Sequence, residues 1–278
     1  MKIKKRKRIR WKNVVIAIIF LICLATAIIS IINIFMWKVD SDNVKEQLKD
    51  IEKINPIEEV EDTENTEIIP QEEEIPQANP YWDYIKINLI NVDFEELKIV
   101  NSDTKGWIVV NGTNINYPFV QAKDNAYYLK HSFDKSNNNA GWVFLDYRNN
   151  LDNMDKNTIL YAHGRWDTTM FGSLKNILTS GWLNNSDNYV IKLSTEKENT
   201  LWQVFSVYHI PTTSDYLKTR FQDNKEFLDF AQMLINRSSH NFNTSVNEND
   251  YIITLSTCYN DKEKVVLHAK LIKKETRS

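Results

Sequence analysis

Two side chains in this sequence have the chemistry of a nucleophile and a proton carrier. Cys258, one of only two cysteines, ends the segment Tyr251 to Cys258, which reads YIITLSTC. His163 ends a second apolar segment, Thr158 to His163, and opens a loop. A cysteine paired with a histidine can carry out acyl transfer, since the thiolate attacks a carbonyl carbon and the imidazole handles the proton. Most free cysteines are inert small hydrophobes, so the rest of the chain must decide between these interpretations.

The first 38 residues have the composition of a membrane anchor. They contain nine basic and no acidic residues, and eight of the basic ones lie in positions 1–12. An apolar run from Val14 to Trp37 follows, which exceeds the ~20 residues that span a bilayer as a helix. A basic flank stays in the cytoplasm. We therefore predict a cytoplasmic basic segment at 1–12, a transmembrane anchor at 13–38 and an extracellular remainder of the chain.

A cleaved signal peptide is the alternative for this region, because Ala25-Thr26-Ala27 resembles a cleavage site. The apolar run continues well past that site, which favours an uncleaved, single-pass anchor in the cell membrane. An exported domain with one cysteine cannot form an internal disulfide. Such a solitary thiol outside the cell favours a functional interpretation of Cys258.

Residues 39–80 have the composition of a solvated spacer. Positions 41–80 hold 13 acidic and three basic residues and four prolines. The spacing of apolar residues from Val44 to Ile54 predicts a short amphipathic helix at its start. The remainder is predicted to be an acidic extracellular stalk.

Residues 81–278 have the pattern of a mainly β domain. Three short helices are predicted at Tyr81 to Ile90, Asp93 to Asn101 and Thr169 to Leu178, and a longer one at Asn224 to Ser239. Eight short strands separated by polar turns favour a closed barrel or a sandwich. The domain carries 22 basic and 23 acidic residues, which argues against nucleic acid as a partner. No Cys/His cluster has zinc spacing, so no metal or cofactor is expected.

Several segments resemble those of class B sortases, which are cysteine transpeptidases of Gram-positive bacteria. Thr254 to Cys258 reads TLSTC and resembles the TLxTC signature of the family. Tyr161-Ala162-His163, followed by Thr169 to Leu174, is similar to the catalytic-histidine segment of class B. The resemblance covers about Tyr81 to Lys274, and further class B segments occur in order at 106–108, 116–118, 124–129, 144–149 and 216–219.

The resemblance implies an eight-stranded β-barrel with helices before it and a long helix between strands six and seven. It also implies that Cys258 attacks a Thr carbonyl in an NPQTN-like sorting signal at the C-terminus of an exported protein. A thioacyl enzyme forms, and an amine of a peptidoglycan precursor resolves it. His163 would protonate the leaving amine and deprotonate the incoming one. The implied partners are sorting-signal peptides, the peptidoglycan amine and the cell membrane.

Further site residues follow from the same resemblance. The backbone next to Thr257 would assist the oxyanion. The resemblance also implies a substrate groove lined by six residues, which are Asn125, Leu129, Thr212, Tyr216, Leu217 and Ser256. Ordinary packing of a loop and a strand is the alternative explanation for these six positions.

One departure from the family pattern leaves two functions open. Sortases carry an arginine on the last strand that steadies the substrate and the oxyanion, whereas no arginine follows Cys258 before Arg277 in this sequence. Alignment of that strand puts Lys264 at the place of the arginine. Ala162 also replaces the usual glycine before the histidine. The resemblance therefore leaves two expectations, an active transpeptidase, which we favour, or a degenerate sortase-like domain that binds sorting signals or wall precursors without efficient turnover.

Overall fold

The computed structural model describes residues 10–69, 80–260 and 262–277. The basic residues at positions 2–8 and the predicted stalk residues 70–79 lie outside these ranges. The first element is a single helix, α1, at Trp11–Ile54. No proline or glycine interrupts residues 11–55, so the predicted anchor and the predicted amphipathic helix join into one element, which ends just before Pro56.

Helix α1 has two parts with different surroundings. Its side chains from Val15 to Met36 are largely exposed and apolar, whereas Val44 and Ile51 are buried against the rest of the protein. Among the described residues, α1 is the one helix that is long and apolar enough to cross a membrane.

The segment after α1 packs on the domain through short elements. These are β1 (Glu58–Val60), β2 (Thr66–Ile68), α2 (Tyr81–Tyr84), β3 (Leu89–Asn91) and α3 (Glu95–Val100). The helix predicted at 81–90 is thus only one turn long. Its last two residues, Leu89 and Ile90, belong to strand β3, because the antiparallel pairing with β1 is a long-range contact that local periodicity does not reveal.

Acidic residues of the predicted stalk form ion pairs with lysines of the domain. Glu59 pairs with Lys192 at 2.7 Å, and Asp62 pairs with Lys273, whose side chain is fully buried. The carbonyl oxygen of Ile85 also accepts a hydrogen bond from Lys273 at 2.9 Å. The part of this segment around β1 and β2 is therefore attached to the domain, although most of its side chains stay exposed.

Eight strands form the closed barrel that the sequence predicts. They are β4 (Thr104–Val110), β5 (Asn116–Val120), β6 (Phe144–Leu145), β7 (Asn157–Tyr161), β8 (Val190–Thr195), β9 (Glu198–Pro211), β10 (Ile252–Cys258) and β11 (Glu263–Thr276). The order of neighbours is β10, β7, β6, β5, β4, β8, β9 and β11, and pairing of β10 with β11 closes the ring. The Asn111-Gly112 turn joins β4 to β5, with Gly112 at φ 69° as a tight hairpin requires.

Helices cover parts of the barrel, as predicted. The long helix α5 (Asn224–Arg237) lies between the sixth and seventh barrel strands and buries Phe227, Phe230 and Leu234. The side chain of Asp223 caps its N-terminus by accepting a hydrogen bond from the amide of Glu226 at 2.8 Å. The helix predicted at 169–178 is a 3-10 helix at Gly172–Leu178, followed by the short α4 (Ser180–Leu183).

The strand register brings three separate segments to one end of the barrel. Strands β7 and β10 are parallel, with Tyr161 opposite Ser256. His163 and Cys258 each lie two residues beyond this pair, so they enter the same region from neighbouring strands. On the other side of β10, the antiparallel register with β11 places Lys264 directly opposite Cys258.

Candidate active site

Cys258 contacts a cation across the last hairpin of the barrel. The Lys264 ammonium donates a hydrogen bond to the Cys258 sulfur at 2.9 Å, and both side chains are partly exposed. The contact follows from the register, because opposite residues on antiparallel strands point to the same face. The hairpin between them is short, and the amide of Tyr259 donates to the carbonyl oxygen of Glu263 at 2.9 Å. The Lys264 ammonium therefore faces the sulfur atom that would act as the nucleophile.

His163 lies at the mouth of the same groove. Its Nε2 atom is 2.8 Å from the carbonyl oxygen of Leu129, and its backbone carbonyl accepts from the amide of Phe171 at 3.1 Å. These two contacts fix the His163 ring and the backbone from which the following loop begins. An imidazole held in this way is available as a proton carrier at the edge of the groove.

The other four histidines make packing and hydrogen-bond contacts outside the groove. His268 lies buried between the Tyr208 hydroxyl and the Thr254 hydroxyl, each 2.8 Å away, and burial lowers its pKa to about 3. The rings of His131, His209 and His240 stack on or pack against neighbouring aromatic rings. Within the described residues, His163 is the histidine that lines the groove containing Cys258.

Gly164 brings the histidine loop into backbone contact with the nucleophile strand. A Cβ atom at this position would lie 2.2 Å from the carbonyl oxygen of Cys258 and 3.0 Å from the hydroxyl of Thr257. That hydroxyl donates to the carbonyl oxygen of Ala162 at 2.8 Å. The segment 162–164 and the end of β10 are therefore locked together, and only a residue without a side chain fits between them.

The groove has a volume of about 640 Å³ and contains every residue that the sequence analysis placed in the site. The ten predicted residues in its lining are Asn125, Leu129, His163, Thr212, Tyr216, Leu217, Ser256, Thr257, Cys258 and Lys264. Sequence reasoning did not place Phe144, Tyr161, Thr213 or Ser214 there, nor did it give Ala162 a site role. The strand alternation at Tyr161 is the signal that could have found one of them, since it lies two residues before His163 on the same face.

The connection between β9 and α5 supplies part of the groove wall. The hydroxyl of Tyr216 lies 3.0 Å from that of Ser256, and burial raises the pKa of Tyr216. The backbone amide of Thr212 donates to the carbonyl oxygen of Lys262 at 2.9 Å. These contacts tie the β9–α5 connection to both strands of the final hairpin.

Asp146 holds three parts of the groove wall together. Its carboxylate accepts hydrogen bonds from Asn125 and from the Tyr161 hydroxyl, each at 2.9 Å, and is bound by two nitrogens of Arg148 at 2.8 Å. Arg148 in turn donates to the carbonyl oxygen of Leu217 at 2.9 Å. Burial alone would raise the pKa of Asp146, but these hydrogen bonds outweigh it and hold the pKa below its usual range.

The arginine that follows the histidine segment does not reach the thiol. Arg165 is only 8% exposed, and its guanidinium contacts Thr169 and Asp167 and stacks over the Trp37 ring at 4.7 Å. Among the described residues, no group of three His, Cys, Asp or Glu side chains is arranged to hold a metal ion.

A closed barrel with a cysteine, a lysine and a histidine in one groove has the components of a cysteine-dependent acyl transferase. Comparison with known proteins points to the same class of enzyme. A family model described as the sortase domain matches residues 108–272. Sortase B of Listeria monocytogenes is 34% identical over 186 residues, or 66% of this chain and 75% of that protein, and sortase B of Staphylococcus aureus is 35% identical over 188 residues, or 66% and 76%.

Solved structures give the same result. Sortase B from Bacillus anthracis in complex with AAEK1 covers 86% of this chain and 99% of its own, at a TM-score of 0.67 and 32% identity. The Staphylococcus aureus sortase B–substrate complex covers 65% and 84%, at a TM-score of 0.61 and 35% identity. The chain belongs to the sortase family, and the resemblance to class B is confirmed. Sortases are cysteine transpeptidases, so the protein is an enzyme of this class.

Proposed function

We propose that the protein joins a surface protein to a peptidoglycan amine by way of a thioacyl enzyme on Cys258. The thiolate attacks the Thr carbonyl carbon of an NPQTN-like sorting signal, and a C–S bond forms as the carbonyl oxygen takes the negative charge. The C–N bond after Thr then breaks, and His163 gives its proton to the leaving amine. An incoming amine next attacks the thioester, loses its proton to His163 and releases Cys258.

The contact between Lys264 and Cys258 is the observation that carries this proposal. An ammonium 2.9 Å from the sulfur stabilises the thiolate before attack. The same charge lies close enough to face an oxygen that becomes negative on the carbonyl carbon bonded to that sulfur. Lys264 thus takes the part that the arginine has in the family, and Arg165 is already engaged elsewhere. Thr257 would contribute through its backbone.

The substrate lies in the groove in this proposal. Asn125, Leu129, Thr212, Tyr216, Leu217 and Ser256 bind the residues of the sorting signal before the scissile bond. Tyr161 and Asp146 keep that wall in place, since Asp146 joins Asn125 to the strand that leads to His163. The existence of a solved complex between Staphylococcus aureus sortase B and a substrate supports substrate binding by a domain of this fold.

A peptide library tests the reaction. The full chain in detergent micelles is incubated with NPQTN-like peptides in which each position is varied, with and without an amine such as triglycine. We expect cleavage after Thr, a covalent acyl adduct on Cys258 by mass spectrometry, and a new amide product when the amine is present. No adduct and no product with any peptide would contradict the proposal.

The replacement of the family's arginine by Lys264 favours a second candidate, a sortase that binds sorting signals without efficient turnover. Lysine carries one charge on a flexible chain, whereas arginine offers a planar fork of donors. This candidate predicts saturable peptide binding by the full chain but a Cys258 that stays unacylated. Mass spectrometry of the same incubations separates the two candidates.

We further propose that α1 anchors the protein in the cell membrane, with residues 1–12 in the cytoplasm and residues 81–278 outside, connected by residues 39–80. The basic residues before the apolar run and the length of α1 support this orientation. Protease treatment of intact cells should remove the catalytic domain and spare the N-terminus. Recovery of a mature protein that begins near Ile28 would refute the anchor.

A further inference from the structure

An exposed aromatic surface borders the active-site groove. Trp166 is 90% exposed, the most exposed large hydrophobic side chain among the described residues. The Lys175 ammonium lies 5.4 Å from the centre of the Trp166 ring and 5.7 Å from that of the exposed Tyr259. We call this surface, formed by Trp166, Lys175 and Tyr259, the aromatic–lysine patch. Tyr259 directly follows Cys258, so the patch lies beside the reacting sulfur, outside the lining of the groove.

The loop that carries Trp166 is fixed to helix α1. Arg165 stacks over the Trp37 ring and donates a hydrogen bond to the Trp37 carbonyl oxygen at 3.2 Å. On the other side of Trp166, the Asp167 carboxylate accepts a hydrogen bond from the hydroxyl of Ser41. Both neighbours of Trp166 therefore bind α1 at the point where its apolar run ends.

Helix α1 also sets which end of the domain lies near that apolar run. From Trp37 to Asn55 the helix rises about 27 Å at 1.5 Å per residue. At this far end, the Asn55 side chain donates to the carbonyl oxygen of Asp93, and the Arg277 guanidinium stacks over the ring of the next residue, Phe94. The amide of Arg277 donates to the carbonyl oxygen of Lys197 at 2.8 Å. The patch is therefore connected to the part of α1 where the apolar run ends, whereas Lys197 is connected to the other end of the helix.

We propose that the aromatic–lysine patch rests on the outer surface of the lipid bilayer, so that the active-site groove opens at the level of the lipid headgroups. The proposal rests on the proposed membrane anchor. Trp37 ends the apolar run, where interfacial aromatic residues are found, and its contact with Arg165 keeps Trp166 at that level. An indole prefers an environment with one apolar and one wet side. The Lys175 ammonium can pair with lipid phosphates.

This arrangement has a consequence for the reaction. Substrates that are themselves held in the bilayer would reach the groove without leaving the membrane surface. A peptide that stacks on Trp166 is the competing occupant. The observations favour the bilayer because the patch is outside the groove and joined to the membrane-proximal part of α1.

Fluorescence quenching in liposomes tests the location of the patch. Single-cysteine versions of the full chain are labelled with an environment-sensitive dye, in a background in which the other cysteines are replaced by serine. The native Cys23 reports on the anchor. Trp166→Cys and Lys175→Cys report on the patch, and Lys197→Cys is the control away from it. The liposomes carry quenchers either at the headgroup or deep in the acyl chains.

We expect the deep quencher to act at Cys23, the headgroup quencher to act at positions 166 and 175, and neither to act at position 197. Quenching at Cys23 without quenching at 166 or 175 would overturn the proposal and leave the anchor intact. Absence of quenching at Cys23 would overturn the anchor and the proposal together. Protection of position 166 only when a sorting peptide is added would identify the patch as a peptide site, which also overturns it.

A measurement on unlabelled protein provides an independent check. One lysine near an anionic membrane contributes about a fivefold effect in binding. We therefore expect Lys175→Ala to slow transfer from a liposome-anchored substrate about fivefold. The same variant should leave the rate with a soluble peptide in detergent unchanged. Equal effects on both substrates would indicate a role in the groove and would contradict the proposal.

Discussion

Replacement of Lys264 by methionine removes the cation that faces Cys258 while keeping most of the volume of the side chain. Unit charges 2.9 Å apart interact by about 6 kcal/mol at an effective dielectric constant of about 20. Both side chains are partly exposed, so solvent reduces this value towards the ~1.5–3 kcal/mol of a hydrogen bond to a charged group. At about 1.4 kcal/mol per tenfold, this corresponds to a loss of roughly 10- to 100-fold in the rate of thiolate attack.

The loss also includes the contribution to the oxyanion. Removal of one oxyanion donor typically costs ~10²–10³ in rate. We therefore expect Lys264→Met to slow acyl-enzyme formation about 10²-fold or more, whereas Lys264→Arg keeps the charge and preserves or raises the rate. Lys262→Met is the matched control, because this exposed lysine lies in the same hairpin.

Two assays separate the contributions. Alkylation of Cys258 at fixed pH reports the reactivity of the thiol alone, and single-turnover acylation by a sorting peptide reports the reactivity and the oxyanion together. Lys264→Met should slow acylation more than alkylation, at unchanged thermal stability. If both Lys264 variants behave like the parent in both assays, Lys264 does not act on the reacting atoms, and Arg220 becomes the next residue to test.

Three further predictions concern the site and its support. Cys258→Ala and His163→Ala should each abolish transfer with an unchanged circular dichroism spectrum, and full activity in either variant would refute the proposed mechanism. Because the folded-state pKa of Asp146 is depressed, its network stabilises the fold above the ordinary carboxyl pKa of ~3.9, and this stability is lost as pH falls through the lower folded value. Asp146→Asn should thus lower the free energy of unfolding in urea more at pH 7 than at pH 3, and an equal loss at both pH values would contradict this reasoning. Asp62→Asn should lower that free energy by about 1–3 kcal/mol because it leaves the buried Lys273 ammonium without its charge partner, while the exposed side of the pair keeps the loss below that of a fully buried pair. Glu61→Gln, which alters an exposed neighbour, should have no effect.

The sequence predicts the individual strands and the long helix well because the information for them is local. Each strand is a short apolar run between polar turns, and α5 carries its apolar face at helical spacing. The order of the class B segments then supplies the topology that periodicity cannot. The same order locates Cys258 and His163, and the register explains why these two distant positions meet, since each lies two residues beyond the pair Tyr161 and Ser256.

The remaining features depend on contacts between distant segments. Nothing in the acidic composition of residues 58–68 indicates that Asp62 reaches a buried lysine on β11. The sequence pattern does not distinguish Asp146 from any other polar residue that follows a strand. In the structure, however, it binds side chains from three parts of the groove wall. The helical periodicity around Leu89 is likewise overridden by pairing with β1.

The close approach at Gly164 has a consequence for which changes the protein can tolerate. The restriction is steric, because the space is filled by the carbonyl oxygen of Cys258 rather than by a flexible side chain that could move aside. Even alanine would push the histidine loop away from the nucleophile strand and separate the two reacting groups without altering either of them. Substitutions at this position should therefore form a class of variants that fold, keep both Cys258 and His163, and still fail to turn over.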